Sequence, residues 1–263
     1  MVDFLLFADE GNPEQTDVNK FFCYGGTFIP TRHYSALSKA IEQLRNKYDL
    51  DRTDPLKFAS RDRPKGMDVQ THTKLKNEVY SLAFKHEVKF CGYGILHAIS
   101  RHHDHNTLVG FGANNLLSKF NQFLGENRAK GWANFDRMNT SNPFGYLREK
   151  FSHRIKSENE RVQLENILGY SFTCDGASHA SSVADILLGG FRYILNEPQR
   201  DIAGRAIAKE LSSVMWHSPE PYEQRNFFDR GLVLRPKEIS LTRYQADYQE
   251  IRDRFTRWVE VPD

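Results

Sequence analysis

The hydrophobic and polar positions along the chain predict an alternation of strands and helices. The run from Phe4 to Ala8 is apolar on both faces, which is typical of a strand covered on two sides, and Asp9 and Glu10 follow it directly. A second apolar run, residues 21–29, is joined to the first by a short polar connection, so the two predict an antiparallel hairpin. The Gly25-Gly26 pair inside it indicates a bulge or a close approach of another backbone.

The later segments continue this alternation and predict the fold class. Helices are expected at residues 33–48, 68–86, 107–127, 178–195, 200–217 and 240–258, and strands at 88–99, 132–136 and 167–173. The charged residues 143–166 predict an exposed helix with a connecting segment. This order predicts an α/β fold in which helices flank both faces of a mixed sheet.

The last predicted helix carries an apolar stripe that has to be covered. An amphipathic helix buries such a stripe against its own domain or against a partner, so a homodimer through this helix stays open. The stripe consists of Leu241, Tyr244, Tyr248, Ile251, Phe255 and Trp258.

Composition narrows the class of protein. The 263 residues fit one large domain or a domain with an extension, and 39% hydrophobic residues indicate a globular chain. The net charge is +2, from 36 basic and 34 acidic side chains, so any basic surface for nucleic acid would have to be local.

The cysteines and apolar runs suggest the cellular location. Cys23, Cys91 and Cys174 form no CxxC pair, which argues against a zinc ribbon and a disulfide framework, and each is expected in the core. No stretch approaches the roughly 18 apolar residues of a membrane span. The start of the chain has no basic region typical of a signal peptide, so we expect a cytoplasmic protein without membrane contact.

Three aspartates are candidates for a metal site. Asp9 and Asp136 each end a predicted strand, and side chains at strand ends of an α/β sheet can meet if the strands are neighbours. Asp185 lies in the middle of a predicted helix, where an aspartate is mildly unfavourable. Carboxylate oxygens suit Mg²⁺, and two such ions about 4 Å apart can support phosphodiester cleavage. Capping, salt bridges and solvated surface are the competing interpretations of these residues.

The helix around Asp185 has a face of small and polar residues, namely Ser178, Ser182, Gly189 and Arg192. Such a face would let the helix approach a sheet closely. A glycine in a helix costs roughly 1 kcal/mol, so the Gly189-Gly190 pair indicates close packing or room for a ligand.

Two further side chains have open interpretations. Successive strand residues face opposite ways, so Glu10 is either a metal ligand at a strand end or the partner of a base such as Lys57. His179 lies two helical turns before Asp185. It could hold a ligand or deliver a proton near the site, or it could be a polar residue at the start of the helix.

Short motifs in a fixed order carry a resemblance to a known family. They are residues 7–12 (FADEGN), 24–28 (YGGTF), 56–58 (LKF), 135–136 (FD) and 184–186 (ADI). Together they resemble the domain-of-unknown-function family numbered 3800, a branch of the ribonuclease-H-like superfamily that includes integrases and transposases. The resemblance covers roughly residues 3–196, and it implies a mixed sheet that begins with an antiparallel meander.

The resemblance also implies an acidic site that binds Mg²⁺ or Mn²⁺. Asp9, Asp136 and Asp185 match the family's acidic positions, and Lys57 matches a lysine that could contact phosphate or fix a carboxylate. The family has a serine where Gly11 stands and often a glutamine where Ser182 stands, so the surroundings of the carboxylates differ here.

Two hypotheses of function follow. The first is a metal-dependent nuclease or phosphodiesterase with a ribonuclease-H-like domain at 1–196 and a helical extension at 197–263 packed on it. Asp9, Asp136 and Asp185 would bind one or two ions in a two-metal type of hydrolysis, and Lys57 would stabilise phosphate charge. The second is a non-catalytic module that binds nucleic acid or protein on the same fold. The sequence does not decide between DNA and RNA.

Overall fold

The computed structural model describes residues 1–11, 19–52, 54, 56–136, 145, 148–149, 155–157, 160–173, 178–218 and 226–260. The strands are β1 Phe4–Glu10, β2 Phe21–Pro30, β3 Lys89–Leu96, β4 Gly131–Asp136, β5 Ile155–Ser157, β6 Glu160–Val162, β7 Ile167–Thr173 and β8 Leu232–Arg235. The α-helices are α1 Thr31–Lys47, α2 Val69–Lys85, α3 His97–Ser100, α4 His105–Glu126, α5 His179–Asn196, α6 Asp201–Val214 and α7 Thr242–Glu260.

Six strands form one mixed sheet in the order β7-β4-β1-β2-β3-β8. The strands β1, β2 and β3 pair antiparallel, whereas β4 is parallel to β1, β7 to β4 and β8 to β3. The predicted mixed sheet, an antiparallel meander followed by parallel strands, is therefore confirmed. The predicted hairpin of the first two strands is also correct.

Helices cover the sheet on both faces, as the alternation predicted. Along β1, Phe7 faces a core built with α1, α2 and α5, whereas Leu6 and Ala8 face a second core built with α4. Cys23 belongs to the first core and Cys91 to the second, where burial raises the pKa of each thiol to about 12. Cys174 lies outside the described residues.

Glycines of β2 and β3 allow α5 to lie close to the sheet. A Cβ atom added at Gly92 would come within 2.7 Å of the Phe191 ring, and one added at Gly25 would come within 3.0 Å of Leu188. Of the two predicted explanations for Gly25, close approach is the correct one, and the nearest atoms are the Leu188 side chain at 3.0 Å and the Cys91 carbonyl oxygen at 3.1 Å.

The face of small residues on α5 does not point at the sheet, so that expectation was wrong. Ser182 accepts a hydrogen bond of 3.3 Å from Nη2 of Arg45 in α1. A Cβ atom at Gly189 would lie 2.1 Å from Cβ of Phe58, in the segment between α1 and α2. Small residues serve here to admit neighbouring elements, and large α5 side chains fill the glycine-lined sheet surface.

Residues 197–263 were expected to form a helical extension, and they also contribute strand β8 to the main sheet. Most of the apolar stripe is buried within the same chain, namely Tyr248, Ile251, Phe255 and Trp258, whereas Leu241 just before α7 is exposed. The Tyr248 hydroxyl accepts from the Leu96 amide at 3.0 Å, and the Trp258 indole donates to Asp201 at 2.8 Å. The observation that suggested a homodimer through this helix therefore has an intrachain explanation.

Two secondary-structure predictions need correction. Residues 155–157 and 160–162, expected within a helix, form the antiparallel pair β5–β6. The predicted strand 88–99 ends at Leu96, where α3 begins. Within the described residues, no helix is both long and apolar enough to cross a membrane.

Candidate functional site

Asp9 and Asp136 lie at the same end of two adjacent strands. Ala8 pairs with Phe135 in the parallel register of β1 and β4, so the two aspartates follow at the next position. Neighbouring strands are about 4.8 Å apart. Phe7 faces the core that contains α5, and strand alternation turns Asp9 and Asp136 toward that same face. The sheet thus brings together two of the three predicted carboxylates.

The end of β1 gives Asp9 a defined position. The Glu10 amide donates to Oδ1 of Asp9 at 2.7 Å, and the Gly11 amide donates to the Cys23 carbonyl at 2.8 Å. The second bond extends the β1–β2 pairing one residue past the strand. The Asp9 side chain is therefore attached to a backbone that is itself held in the sheet.

Asp185 lies in the middle of α5 and contacts Lys57, in the segment between α1 and α2. Leu188, one turn after Asp185, would lie 3.6 Å from a Cβ atom at Gly11, the residue that ends β1. The helix begins at Ser178, whose hydroxyl oxygen accepts from the Ser181 amide at 3.2 Å and caps the first turn. The part of α5 that follows Asp185 thus packs next to the end of β1 through Leu188.

Lys57 makes an ion pair with Asp185. Its Nζ lies 2.6 Å from Oδ2 of Asp185, and the side chains are 29% and 18% exposed, respectively. A charge-assisted bond of this length at a partly buried position fixes the carboxylate orientation. Of the two roles left open for this lysine, the geometry favours fixing a carboxylate.

The segment that carries Lys57 is anchored on both sides. The His72 Nε2 lies 3.0 Å from the Lys57 carbonyl oxygen, and the Lys76 ammonium lies 3.2 Å from the Phe58 carbonyl oxygen. Leu56 and Phe58 are buried in the core that α5 helps to form. The backbone around Lys57 therefore belongs to the packed body of the protein.

The charge states of the two anchors follow from their burial. Burial lowers the pKa of His72, Lys76 adds to that effect, and the hydrogen bond to the Lys57 carbonyl opposes it. His72 is therefore neutral near pH 7 and donates its Nε2 proton, because a carbonyl oxygen only accepts. Burial also lowers the pKa of the Lys76 ammonium.

Glu10 lies away from the other carboxylates. It follows Asp9 in β1 and so points to the opposite face, where its Oε1 is 3.4 Å from Nε2 of His105 at the start of α4. The partner is His105 rather than the expected Lys57. Across the part of the chain that the structure describes, no three His, Cys, Asp or Glu side chains stand close enough together to hold a metal ion.

A polar groove of about 590 Å³ lies between α1 and the start of α5. Tyr34 connects it to the carboxylate face, because its ring stacks on Phe7 with centroids 6.3 Å apart. Burial is the main cause that lowers the pKa of His179, which also lines the groove. The other lining residues are Ser35, Ser38, Lys39, Glu42, Arg45, Arg52 and Ser178.

Several residues around the site were not identified as candidates from the sequence. The Trp132 indole donates to the Ser171 hydroxyl at 3.0 Å, which donates to Asn134 at 2.6 Å; Asn134 in turn donates to the Leu6 carbonyl at 3.1 Å. This chain of hydrogen bonds lies on the face of β4 that Asp136 shares. The period-2 alternation of Trp132, Asn134 and Asp136 was the available signal.

Comparisons with known proteins bear on the fold. No protein-family model matches the sequence, and no curated protein is similar to it. Among solved structures, a mutant protein of Bst-RNase HIII is similar over 79% of this chain, with 12% sequence identity and a TM-score of 0.42. This chain matches 61% of that protein's length. A likeness this distant says nothing about the activity of the present chain.

Proposed function

We propose that this protein is a divalent-metal-dependent nuclease, and that Asp9, Asp136 and Asp185 form its acidic site. The observation that carries the proposal is the position of Asp9 and Asp136 at the same end of adjacent parallel strands, on the face that α5 covers. Two carboxylates on neighbouring strands repel each other, and a cation bound between them would relieve that repulsion. The motif order shared with family 3800 points to the same three residues and to membership of that family.

The donor set fits a hard cation, since carboxylate oxygens are the ligands that Mg²⁺ and Mn²⁺ prefer. When bound, such a cation would lower the pKa of a water molecule and neutralise charge on a phosphate group. Asp9 and Asp136 would hold it, whereas Asp185 is ion-paired with Lys57 and does not form a three-carboxylate ligand group with them among the described residues. Glu10 is left out of the proposed ligands because it faces His105.

The groove beside α1 supports nucleic acid as the substrate. Its lining contains the cationic side chains of Lys39, Arg45 and Arg52 against one carboxylate, that of Glu42, so it carries an excess of positive charge. Arg52 forms an ion pair with Glu42. Lys39 is exposed on α1 and available to a phosphate backbone. A phosphate chain in this groove would approach the carboxylates past Tyr34 and Phe7.

The proposal is tested by cleavage of labelled single-stranded and double-stranded DNA and RNA with Mg²⁺ or Mn²⁺. Asp136→Asn removes one charge with little change in shape, and we expect it to reduce cleavage by at least about 10²-fold without loss of folding. Asp62→Asn makes the same change at an exposed aspartate outside the proposed ligand set and is the matched control. Full activity of Asp136→Asn on every substrate would refute the proposal.

Metal binding separates the nuclease from a non-catalytic binding module. A cation that binds only the folded state raises the melting temperature, and at 100 times Kd the stabilisation is about 2.7 kcal/mol. We expect millimolar Mn²⁺ to raise the melting temperature of the native protein but not that of Asp9→Ala. Equal melting temperatures with and without Mn²⁺ would favour the module.

A further inference from the structure

We infer that a cavity between α5, α7 and the start of β2 binds a small zwitterion, namely a free α-amino acid with an aliphatic side chain. The cavity has a volume of about 240 Å³ and lies at the C-terminal end of α5, whereas the groove beside α1 lies at the N-terminal end of that helix. This volume is several times the roughly 30 Å³ that a water molecule occupies in the liquid, yet it is below the range of drug-sized ligands. The inference is independent of the proposed function, because the cavity shares no residue with the acidic site.

The side chain of Arg254 is buried in the wall of this cavity with only long hydrogen bonds. It is 5% exposed, and its Nη2 and Nη1 atoms lie 3.4 Å from the Leu195 carbonyl oxygen and 3.5 Å from Oε1 of Glu250, respectively. Hydrogen bonds in which a partner is charged are normally about 2.7–2.9 Å long. Among the described residues, the Nε of Arg254 has no hydrogen-bond partner. A buried guanidinium group bonded so weakly is costly, and a carboxylate in the cavity would supply the missing acceptors.

The charges around the cavity match a ligand that carries both signs. The other charged side chains of its lining are those of Lys20, Asp247 and Glu250. Together with Arg254 they place two cations and two carboxylates around one cavity. A simple anion would be repelled by the two carboxylates, and a simple amine would be repelled by the two cations. A molecule with one carboxylate and one ammonium group attracts both kinds of side chain, so this pattern selects a zwitterion.

The ion pairs within the lining are weak enough to be exchanged for contacts with a ligand. Nζ of Lys20 lies 3.2 Å from Oδ1 of Asp247, and the lysine side chain is 57% exposed. Glu250, the carboxylate that faces Arg254, is 56% exposed. Ion pairs with such exposure contribute little to stability, because water screens them and both side chains lose freedom. Asp247 and Glu250 are therefore free to bind an ammonium group while Arg254 binds the carboxylate.

The remaining wall of the cavity is largely apolar and fixed in place. Phe21, Leu195 and Ile251 line the cavity and are buried or belong to the main core. The Asn196 carboxamide accepts from the Phe21 amide at 2.8 Å and donates to the Phe21 carbonyl oxygen at 3.1 Å, which joins the end of α5 to β2. A preformed apolar wall lowers the ordering cost of binding and suits an aliphatic side chain.

The test measures the melting temperature of the native protein in a chelator with leucine at about 10 mM, a concentration that fills a site of millimolar Kd. We expect leucine to raise the melting temperature, because a ligand that binds only the folded state stabilises it. Isocaproate lacks the ammonium group of leucine, and isoamylamine lacks its carboxylate, so neither should have this effect at the same concentration. Glycine, which has no side chain for the apolar wall, should raise the melting temperature less than leucine.

Two variants locate the binding site by charge. Asp247→Asn removes a carboxylate from the lining, and Arg254→Gln removes the group that binds the ligand carboxylate. Each should weaken leucine binding by about tenfold or more in isothermal titration calorimetry, the usual effect of losing a hydrogen bond to a charged group. Asp253→Asn and Arg257→Gln make the same changes at exposed positions of α7 outside the lining, and they are the matched controls.

The outcomes decide the inference whichever way they fall. An unchanged melting temperature with leucine would overturn it and leave a cavity that holds only water. An equal rise with isocaproate would also overturn it and indicate a plain anion site. If Arg254→Gln does not fold, the partly exposed Asp247→Asn still decides, because native leucine affinity in that variant would place the ligand elsewhere. None of these measurements involves metal or nucleic acid, so their failure would leave the nuclease proposal intact.

Discussion

The Nζ of Lys57 lies 2.6 Å from Oδ2 of Asp185, although 128 residues separate the two along the chain. The contact joins the segment between α1 and α2 to the middle of α5. It gives the Asp185 carboxylate a fixed orientation on α5. The same segment also packs against α5 through Phe58, next to Gly189, so the position of Lys57 depends on this packing.

The ion pair should stabilise the fold in the absence of metal. Partly buried and only 18–29% exposed, it lies between a surface pair and a fully buried one, so we expect a coupling energy of about 1–2 kcal/mol. The measurement is a double-mutant cycle of Lys57→Ala and Asp185→Ala by urea unfolding in a chelator. Strictly additive effects of the two substitutions would contradict the ion pair.

Gly189 should tolerate no side chain, in contrast to Gly110. A Cβ atom at Gly189 would lie 2.1 Å from Cβ of Phe58, so Gly189→Ala should destabilise the protein by about 1–3 kcal/mol. Nothing lies within 4 Å of a Cβ atom at Gly110 in α4, and Gly110→Ala should stabilise by about 0.5–1 kcal/mol through helix propensity. Urea unfolding compares the two, and equal effects would argue against the packing of Phe58 on α5.

Acid should weaken the fold through buried histidines. Burial lowers the pKa of His72 and of His97, whereas the unfolded chain takes up protons near the ordinary value of about 6.5. Their contribution to stability is therefore complete above pH 6.5 and is lost as the pH falls below it. Each has a buried ring nitrogen with no hydrogen-bond partner among the described residues, Nδ1 in His72 and Nε2 in His97.

The measurement is the melting temperature between pH 8 and pH 5 in a chelator. His97→Gln should lower the melting temperature at pH 8 yet reduce its dependence on pH. The exposed His102→Gln serves as the control. An unchanged pH dependence in His97→Gln would show that this histidine does not contribute to acid sensitivity.

The groove beside α1 should bind phosphate through exposed cations. If Lys39 contacts one phosphate, Lys39→Gln should weaken binding to nucleic acids of every sequence and lower the slope of log K against log salt by about 0.7–0.9. Fluorescence anisotropy at several salt concentrations measures this slope. Lys74→Gln removes the same charge from an exposed position of α2 and should leave the slope unchanged. Identical slopes in both variants would place the phosphates elsewhere.

The sequence predicted most elements because their signals are local. The period of apolar residues predicted a helix at 33–48, and α1 spans Thr31–Lys47. This prediction succeeds because the apolar stripe of an amphipathic helix consists of residues within that one helix. The predicted helix over 143–166 failed for residues 155–157 and 160–162. Strands of three residues are too short to display alternation, and only their pairing with each other defines them.

For the candidate site too, the sequence showed which residues are candidates, and the structure showed which of them lie together. Two strand-end aspartates were visible as residues, and the register of β1 with β4 decided that they adjoin. Nothing in the sequence indicated that Glu10 faces His105, or that Arg45 of α1 contacts Ser182 of α5. Side chains from distant segments make these contacts, and each depends on how the elements pack.

The sequence by itself determined the longer strands and helices and the acidic residues at the ends of β1 and β4, because hydrophobic periodicity and turn chemistry act between neighbours in the chain. Only the tertiary structure decided that β8 joins the main sheet, that α7 is covered by its own chain, and that Lys57 holds Asp185. Such contacts form when helices and strands that are distant in the sequence pack against each other, and their energies depend on how well the shapes and charges of those elements match.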